Sequence, residues 1–142
     1  DNSSYLCSNR KDSTYIYMKN IAETYWKRKK MPIPHLLLSD YEGRNVWSHK
    51  GIVHWRGMNI CMVTDGYWRN KSATNLLDID YMYLCKGYKG EIAPLQKLFH
   101  IKRIVLDASL GDYKSKAYKE ECKTLGLDYI DISEKGSFRI LL

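Results

Sequence analysis

The sequence predicts an α/β domain in which helices pack on a mixed β-sheet. In the second half of the chain, short apolar runs alternate with two segments of helical periodicity, which is typical of parallel strands joined by crossover helices. In the first half, short apolar runs separated by glycines indicate antiparallel strands. The hydrophobic fraction of 44% and the charged fraction of 27% are those of an ordinary folded protein.

The first forty residues predict one main helix. Aromatic and aliphatic residues at helical spacing place it at residues 14–29, with Asp12 or Ser13 as its expected N-cap. It ends in four consecutive cations, residues 27–30, where the helix dipole favours positive charge, and prolines follow. We interpret the cations as a solvated helix end, with a DNA contact as the alternative.

Residues 43–64 predict a series of short antiparallel strands. Val53 and Trp55 alternate with polar residues, as in a strand with one solvated face. The continuous apolar run 60–63 is instead typical of a strand buried on both faces. The largely polar stretch 65–75 predicts a loop.

The second half predicts four strands and two helices. The strands are expected at residues 81–85, 104–107, 129–131 and 138–142. The helices are expected at residues 91–99 and 112–125, the second of them capped by Gly126. Because the strands at 81–85 and 104–107 lack polar alternation, we expect them to be central and parallel.

Length and charge limit the classes of protein to which the chain can belong. Its 142 residues fit a single soluble domain covering residues 1–142. The chain starts at Asp1 without an initiator methionine, which predicts a fragment of a larger protein. No apolar run approaches the roughly 20 residues of a transmembrane helix. The net charge of +7 favours a polyanionic partner, either nucleic acid or an anionic membrane surface. The alternative is a soluble protein with a modest positive excess and no such partner.

The sequence contains no motif for a metal, nucleotide or nucleophile site. The four cysteines form no CxxC pair and are expected to be buried free thiols, with disulfides as the alternative. The histidines lack ligand spacing, although His49 and His54 can approach each other across a hairpin turn. Asp107 ends a predicted strand, where α/β enzymes often place a carboxylate, but without a partner motif we interpret it as a turn or cap residue. We therefore expect no catalytic residue, metal site or cofactor.

An ordered series of segments in the second half carries a resemblance to a known family. The segments are Asp80–Gly90, Leu95–Phe99, Ile104–Ser109, Glu120–Lys123, Leu125–Gly126, Asp131–Ser133 and Gly136–Phe138. In this order they resemble the C-terminal soluble domain of the ComEC family of bacterial competence (DNA-uptake) membrane proteins. The first half resembles that family more loosely, through Trp26 and residues 68–71.

The resemblance implies a fold, a location and a partner. Many ComEC proteins end in an extracytoplasmic domain that is similar to metallo-β-lactamases. Here the position of the metal motif, residues 84–91, holds Lys86, Tyr88, Gly90 and Glu91 in place of histidines and aspartates, and the single carboxylate of Glu91 does not make a site. Lysine and glycine do not ligate zinc at neutral pH. The resemblance therefore implies a degenerate metallo-β-lactamase-like half without a metal, located in the periplasm, with the membrane-embedded channel region of the same polypeptide as its partner.

The expected function is that of a non-catalytic domain of a transformation channel that contacts incoming single-stranded DNA. Lys86 and Lys89 flank Tyr88 on the loop after a central strand, where ligands of open α/β sheets usually lie. We expect a base to stack on the tyrosine and the lysines to neutralise phosphates. The alternatives are a solvated loop, a structural module that packs on the channel without DNA, and a hydrolase whose site the sequence does not display.

Overall fold

The computed structural model describes residues 4–7, 13–37 and 40–140 of the chain. The contacts within the chain divide it into two units, residues 1–50 and 51–142. Among these residues the structure contains a mixed β-sheet, three α-helices and one 3₁₀ helix, which confirms the predicted α/β class. That residues 1–142 form a single domain stays a prediction.

In the first unit, four strands and one helix are found among the described residues. They are β1 (Tyr5–Cys7), α1 (Ser13–Arg28), β2 (His35–Leu37), β3 (Tyr41–Glu42) and β4 (Val46–His49). β1 pairs with β2 in parallel, and β3 pairs with β4 antiparallel. The helix agrees with the predicted one, whereas Asp12, one of its two expected N-caps, lies outside the described residues.

The second unit is built on parallel strands. Its strands are β5 (Ile52–Trp55), β6 (Met58–Val63), β7 (Leu77–Ile79), β8 (Tyr81–Leu84), β9 (Phe99–Ile101), β10 (Arg103–Leu106) and β11 (Asp128–Asp131). In its main sheet the order is β11-β10-β8-β6-β5, where β5 is antiparallel to β6 and the other neighbours are parallel. β7 and β9 form a separate parallel pair.

Three helices connect or follow these strands. They are a 3₁₀ helix (Ala93–Lys97), α2 (Asp112–Leu125) and α3 (Ile132–Lys135). α2 ends at Gly126, whose φ of 68° is left-handed and whose N–H donates to the carbonyl of Cys122. Glycine adopts this conformation without a Cβ clash, so the predicted cap is confirmed.

The core of the second unit lies on β8 and β10, which are central and parallel as predicted. Met82 and Leu84 of β8 and Ile104 of β10 are fully buried, and Tyr118 of α2 packs in the same cluster. Burying an aliphatic side chain of this size stabilises a fold by roughly 1.5–3 kcal/mol. The apolar runs in the sequence thus become the centre of the sheet because they bury the most apolar surface.

The burial of β6 differs from the prediction. Its run at 60–63 was expected to be buried on both faces, but only Cys61 and Val63 are fully buried, while Ile60 and Met62 are partly exposed. The side chains of a strand alternate between the two faces of its sheet. Only one face of β6 is therefore covered completely.

Two predicted elements are wrong. The helix expected at residues 91–99 is only the 3₁₀ helix, because Phe99 begins β9 and pairs with Leu77. The last strand, expected at 138–142, is absent over residues 138–140, the part of it that the structure describes. Phe138 instead packs its ring against Tyr81, with the ring centroids 5.3 Å apart.

Candidate functional site

The carboxyl ends of the parallel strands β6, β8 and β10 meet at one edge of the sheet. The loops that follow them are in contact: a Cβ on Gly87 would lie 1.9 Å from the carbonyl oxygen of Thr64, and the N–H of Lys86 donates to Ser109 Oγ over 3.3 Å. We call these loops, residues 64–76, 86–92 and 107–111, the carboxyl edge. Ligands of open α/β sheets usually bind at this end of the strands.

The loop after β8 is held in place by tyrosine and lysine contacts. The hydroxyl of Tyr88 donates to the carbonyl of Glu91 over 2.7 Å. The Tyr118 hydroxyl and Lys114 Nζ both donate to the carbonyl of Gly90, over 2.9 and 3.0 Å. Burial raises the pKa of both tyrosines, which therefore stay protonated and remain hydrogen-bond donors at neutral pH.

A carboxylate on α2 completes the support of this loop. Glu121 Oε1 accepts hydrogen bonds from the backbone N–H groups of Ile92 and Ala93, over 2.7 and 2.9 Å. Pro94, the next residue, has no N–H of its own to satisfy. The first turn of the 3₁₀ helix is thus capped by a side chain that lies 28 residues further along the chain.

The predicted DNA-binding residues of this loop lie in two different environments. Lys86 and Lys89 are exposed, as a phosphate contact requires, and their role in DNA binding stays a prediction. Tyr88 is only 1% exposed because its ring lies in the hydrophobic core. A base cannot stack on a buried ring, so that part of the hypothesis is corrected.

Two exposed tyrosines lie in or next to the carboxyl edge, and the sequence patterns did not single them out. Tyr113, in the first turn of α2, is 89% exposed. Tyr67, in the loop after β6, is 42% exposed, and Lys71 Nζ lies 3.3 Å from its ring centroid. Helical spacing could have predicted the exposure of Tyr113. This residue lies five positions before the buried Tyr118, so the two side chains are roughly 140° apart around the helix.

The carboxylates at the ends of β10 and β11 make structural contacts. Asp107 accepts from the backbone N–H and the hydroxyl of Ser109, which confirms its interpretation as a turn residue. Asp131 accepts from Ser115 Oγ over 3.0 Å, from Lys119 Nζ over 2.6 Å and from the N–H of Ser133 over 2.8 Å. Although burial opposes it, these donors hold the pKa of Asp131 well below its usual range.

The residues at the position where the resemblance places a metal motif do not fit a zinc ion. Residues 84–91 present one carboxylate, on the exposed Glu91, and Gly87 packs directly on the backbone of Thr64. Throughout residues 4–7, 13–37 and 40–140, no three histidine, cysteine or acidic side chains are grouped so that they could hold a metal ion. A zinc site requires three or four such ligands around one point.

The histidines and cysteines are also in structural environments. His49 Nδ1 lies 2.7 Å from Asp40 Oδ2, and His54 Nδ1 lies 2.7 Å from Asn59 Oδ1. Cys61, Cys85 and Cys122 are buried as predicted, whereas Cys7 is exposed, which corrects the prediction for that residue. Burial raises the pKa of Cys61 to about 12 and, together with the charge of Glu121, that of Cys122 to about 11. Neither thiol is a nucleophile at neutral pH because the thiolate is the reactive form.

Comparisons with known proteins assign the chain to a family. No helix in the described part of the chain is both long and apolar enough to cross a bilayer. No curated protein and no solved structure matches the chain. The family model of the ComEC C-terminal domain, however, matches residues 1–142, which is the whole chain. The chain therefore belongs to the ComEC C-terminal domain family, whose members have a role in DNA uptake.

Proposed function

We propose that this chain is a non-catalytic, extracytoplasmic domain of a ComEC-type DNA-uptake protein and that its carboxyl edge binds incoming single-stranded DNA. Family membership supports the role in DNA uptake. The observation that carries the DNA contact is a set of four exposed cations on two touching loops of the carboxyl edge. They are Arg69, Lys71, Lys86 and Lys89.

The chemistry of this edge suits a single strand. The cations neutralise phosphates and release counterions, which gives affinity without base specificity. Tyr113 takes the stacking role first assigned to Tyr88, because almost all of its ring is accessible at the start of the helix that follows β10. A base stacked on an aromatic side chain contributes roughly 1–3 kcal/mol.

Several contacts support a role without catalysis. Asp107 and Asp131 accept hydrogen bonds from neighbouring side chains and backbone groups, and the Cys61 thiol has a raised pKa. Both carboxylates accept a serine hydroxyl, from Ser109 and from Ser115, but each also accepts a backbone N–H, as turn and helix-cap residues do. The extracytoplasmic location, and the membrane-embedded channel region of the same polypeptide as a partner, rest on the family alone.

Titration of a labelled oligothymidylate of about 16 nucleotides, a length within the usual site range, tests the DNA proposal at several salt concentrations. The double variant Lys86→Ala, Lys89→Ala removes two exposed cations from the carboxyl edge. Each lost phosphate contact on a single strand lowers the salt slope by roughly 0.7, so the slope is expected to fall by about 1.4. Tyr113→Ala is expected to weaken binding by roughly 5–150-fold at every salt concentration.

The matched control is the double variant Arg103→Ala, Lys123→Ala, which loses the same charge from the first residue of β10 and from the last turn of α2, both at the far end of their element from the carboxyl edge. It is expected to retain the wild-type slope. If the two double variants bind equally, net charge and not the carboxyl edge determines affinity, and the proposed site is wrong. If the wild-type chain does not bind at low salt, the result supports the structural module that packs on the channel.

A further inference from the structure

Helix α1 carries an exposed stripe of apolar and aromatic side chains. Tyr17, Ile21 and Tyr25 are 66%, 50% and 46% exposed, and they follow one another at intervals of four residues. Residues at this spacing lie above one another on one face of a helix. The three side chains therefore form a continuous surface, which we call the α1 stripe.

The α1 stripe is not the face by which the helix packs in its own unit. Ala22 and Trp26 are partly buried, and each lies one position after a residue of the stripe, which is roughly 100° around the helix. Lys19 and Glu23, on the same side as Trp26, form an ion pair along the helix with 3.7 Å between Nζ and Oε1. The helix thus has one partly covered side and one apolar side in solvent.

Four exposed cations follow the stripe directly. They are Lys27, Arg28, Lys29 and Lys30, and no carboxylate of the described residues forms an ion pair with them. Two more exposed apolar side chains come next, Met31 and Ile33, at 43% and 76% exposed. Residues 17–33 therefore combine an apolar surface with a dense positive charge, and we call them the amphipathic segment.

We propose that the amphipathic segment binds an anionic membrane surface. The α1 stripe, Met31 and Ile33 would enter the boundary between headgroups and acyl chains, where tyrosine is a favoured residue. The four cations would lie at the level of the anionic headgroups, which attract basic segments near a bilayer. This inference concerns the first unit and does not depend on DNA binding at the carboxyl edge.

An anionic bilayer fits the amphipathic segment better than other partners because it engages both of its features. A nucleic acid would bind the cations but would leave the α1 stripe in water. An apolar groove on a protein would cover the stripe but has no need of four consecutive cations. In an anionic bilayer, negative headgroups lie directly above an apolar layer, which is complementary to the charge and to the apolar surface at once.

Sedimentation of the purified 142-residue chain with vesicles tests the proposal. We expect binding to vesicles of phosphatidylglycerol and phosphatidylcholine and much weaker binding to phosphatidylcholine alone. Lys29→Gln with Lys30→Gln is expected to weaken binding to the anionic vesicles by roughly 30-fold. Ile21→Ser with Tyr25→Ser is expected to weaken it by at least about tenfold.

Matched controls come from the second unit. Lys97→Gln with Lys123→Gln removes the same charge, and Leu77→Ser removes an apolar side chain that is 37% exposed. Both controls are expected to bind vesicles as the wild type does, and circular dichroism of every variant verifies that it is folded. The proposal is wrong if wild-type binding does not require the anionic lipid, or if the stripe and cation variants bind as the controls do. It is also wrong if Lys29→Gln with Lys30→Gln weakens DNA binding but not vesicle binding.

Discussion

The two units of the chain bury their apolar side chains to different extents. In the second unit, strands β6, β8 and β10 and helix α2 enclose a core in which Leu84 and Ile104 have no solvent exposure. In the first unit, Ile21 of α1 is half exposed and Ile33 is 76% exposed. The difference teaches that the second unit is held together by its own contacts, whereas α1 leaves apolar surface exposed, which the proposed membrane contact would cover. Single substitutions can sharpen or contradict this contrast.

The largest expected effect is that of Leu84→Ala in the central strand β8. The side chain is fully buried, so its removal loses transfer free energy and leaves a cavity, and the free energy of unfolding should fall by about 2–5 kcal/mol. Urea unfolding followed by circular dichroism measures this change. Leu77→Ala, at a leucine that is 37% exposed, is the control and should cost less than about 1 kcal/mol. Equal costs at the two positions would contradict the assignment of β8 to the core.

A somewhat smaller effect is expected from Gly87→Ala at the carboxyl edge. The added Cβ would lie 1.9 Å from the backbone carbonyl of Thr64, so the loops after β6 and β8 must separate, at a cost of about 1–3 kcal/mol. Gly111→Ala is the matched control, because a Cβ there meets no atom within 4 Å and its φ of −71° suits any residue. If both variants unfold at the same urea concentration, the two loops do not touch in solution.

Glu121→Ala tests the support of the loop after β8. It leaves the N–H groups of Ile92 and Ala93 without their acceptor, so the unfolding free energy should fall by about 1–3 kcal/mol. Glu121→Gln retains an acceptor oxygen and should recover most of this loss. Glu120→Ala, which removes an exposed carboxylate from the same helix, should change stability by less than about 0.5 kcal/mol. A full loss in the Gln variant would show that the charge, not the hydrogen bonds, is required.

The pH dependence of stability should reflect Asp131. Its pKa in the folded state lies below the ordinary value of 3.8, so its contribution is present above that value and is lost as the pH falls. The free energy of unfolding of the wild type should therefore exceed that of Asp131→Asn by less and less as the pH falls from about 5 to about 2. Chemical unfolding at a series of pH values measures it, with Asp128→Asn, an exposed position on the same strand, as the control. A constant difference across this range would contradict the assigned contacts of Asp131.

The smallest effect is expected from Ile21→Ser in the α1 stripe. The side chain is half exposed, so the free energy of unfolding without vesicles should change by less than about 0.5 kcal/mol. The same urea titration measures it beside Leu84→Ala. A loss as large as that of Leu84→Ala would mean that Ile21 is buried in solution, which would remove the contrast between the units.

Local patterns in the sequence predicted the centre of the second unit. The apolar runs at 81–85 and 104–107 can bury a large surface only inside a sheet, and α2 has clear helical spacing with a glycine at its end. The pair β7 and β9 was not predictable in this way. Each strand has three residues, and Leu77 and Phe99 pair across a long stretch of chain, so neither segment is a recognisable strand without the other.

The candidate site was only partly predictable for a related reason. The exposed lysines at 86 and 89 follow from their place in a loop, but the burial of Tyr88 depends on partners far along the chain, among them Tyr118 on α2. Gly90 also contributes, because a Cβ there would lie 2.4 Å from the Tyr88 hydroxyl oxygen. A tyrosine between two lysines has the same local sequence whether its ring points into the core or into solvent. Only the tertiary fold decides between these orientations.

The buried thiols give the second unit a built-in reporter of its own opening. Cys61 lies within β6, Cys85 directly follows β8, and Cys122 lies in α2, so a thiol-reactive reagent reaches each one only when that element separates from its neighbours. Pulsed alkylation with mass spectrometry would give an opening rate for each position in the unmodified sequence. Comparison of the Cys122 rate with the Cys61 rate would then show whether α2 detaches before the sheet opens.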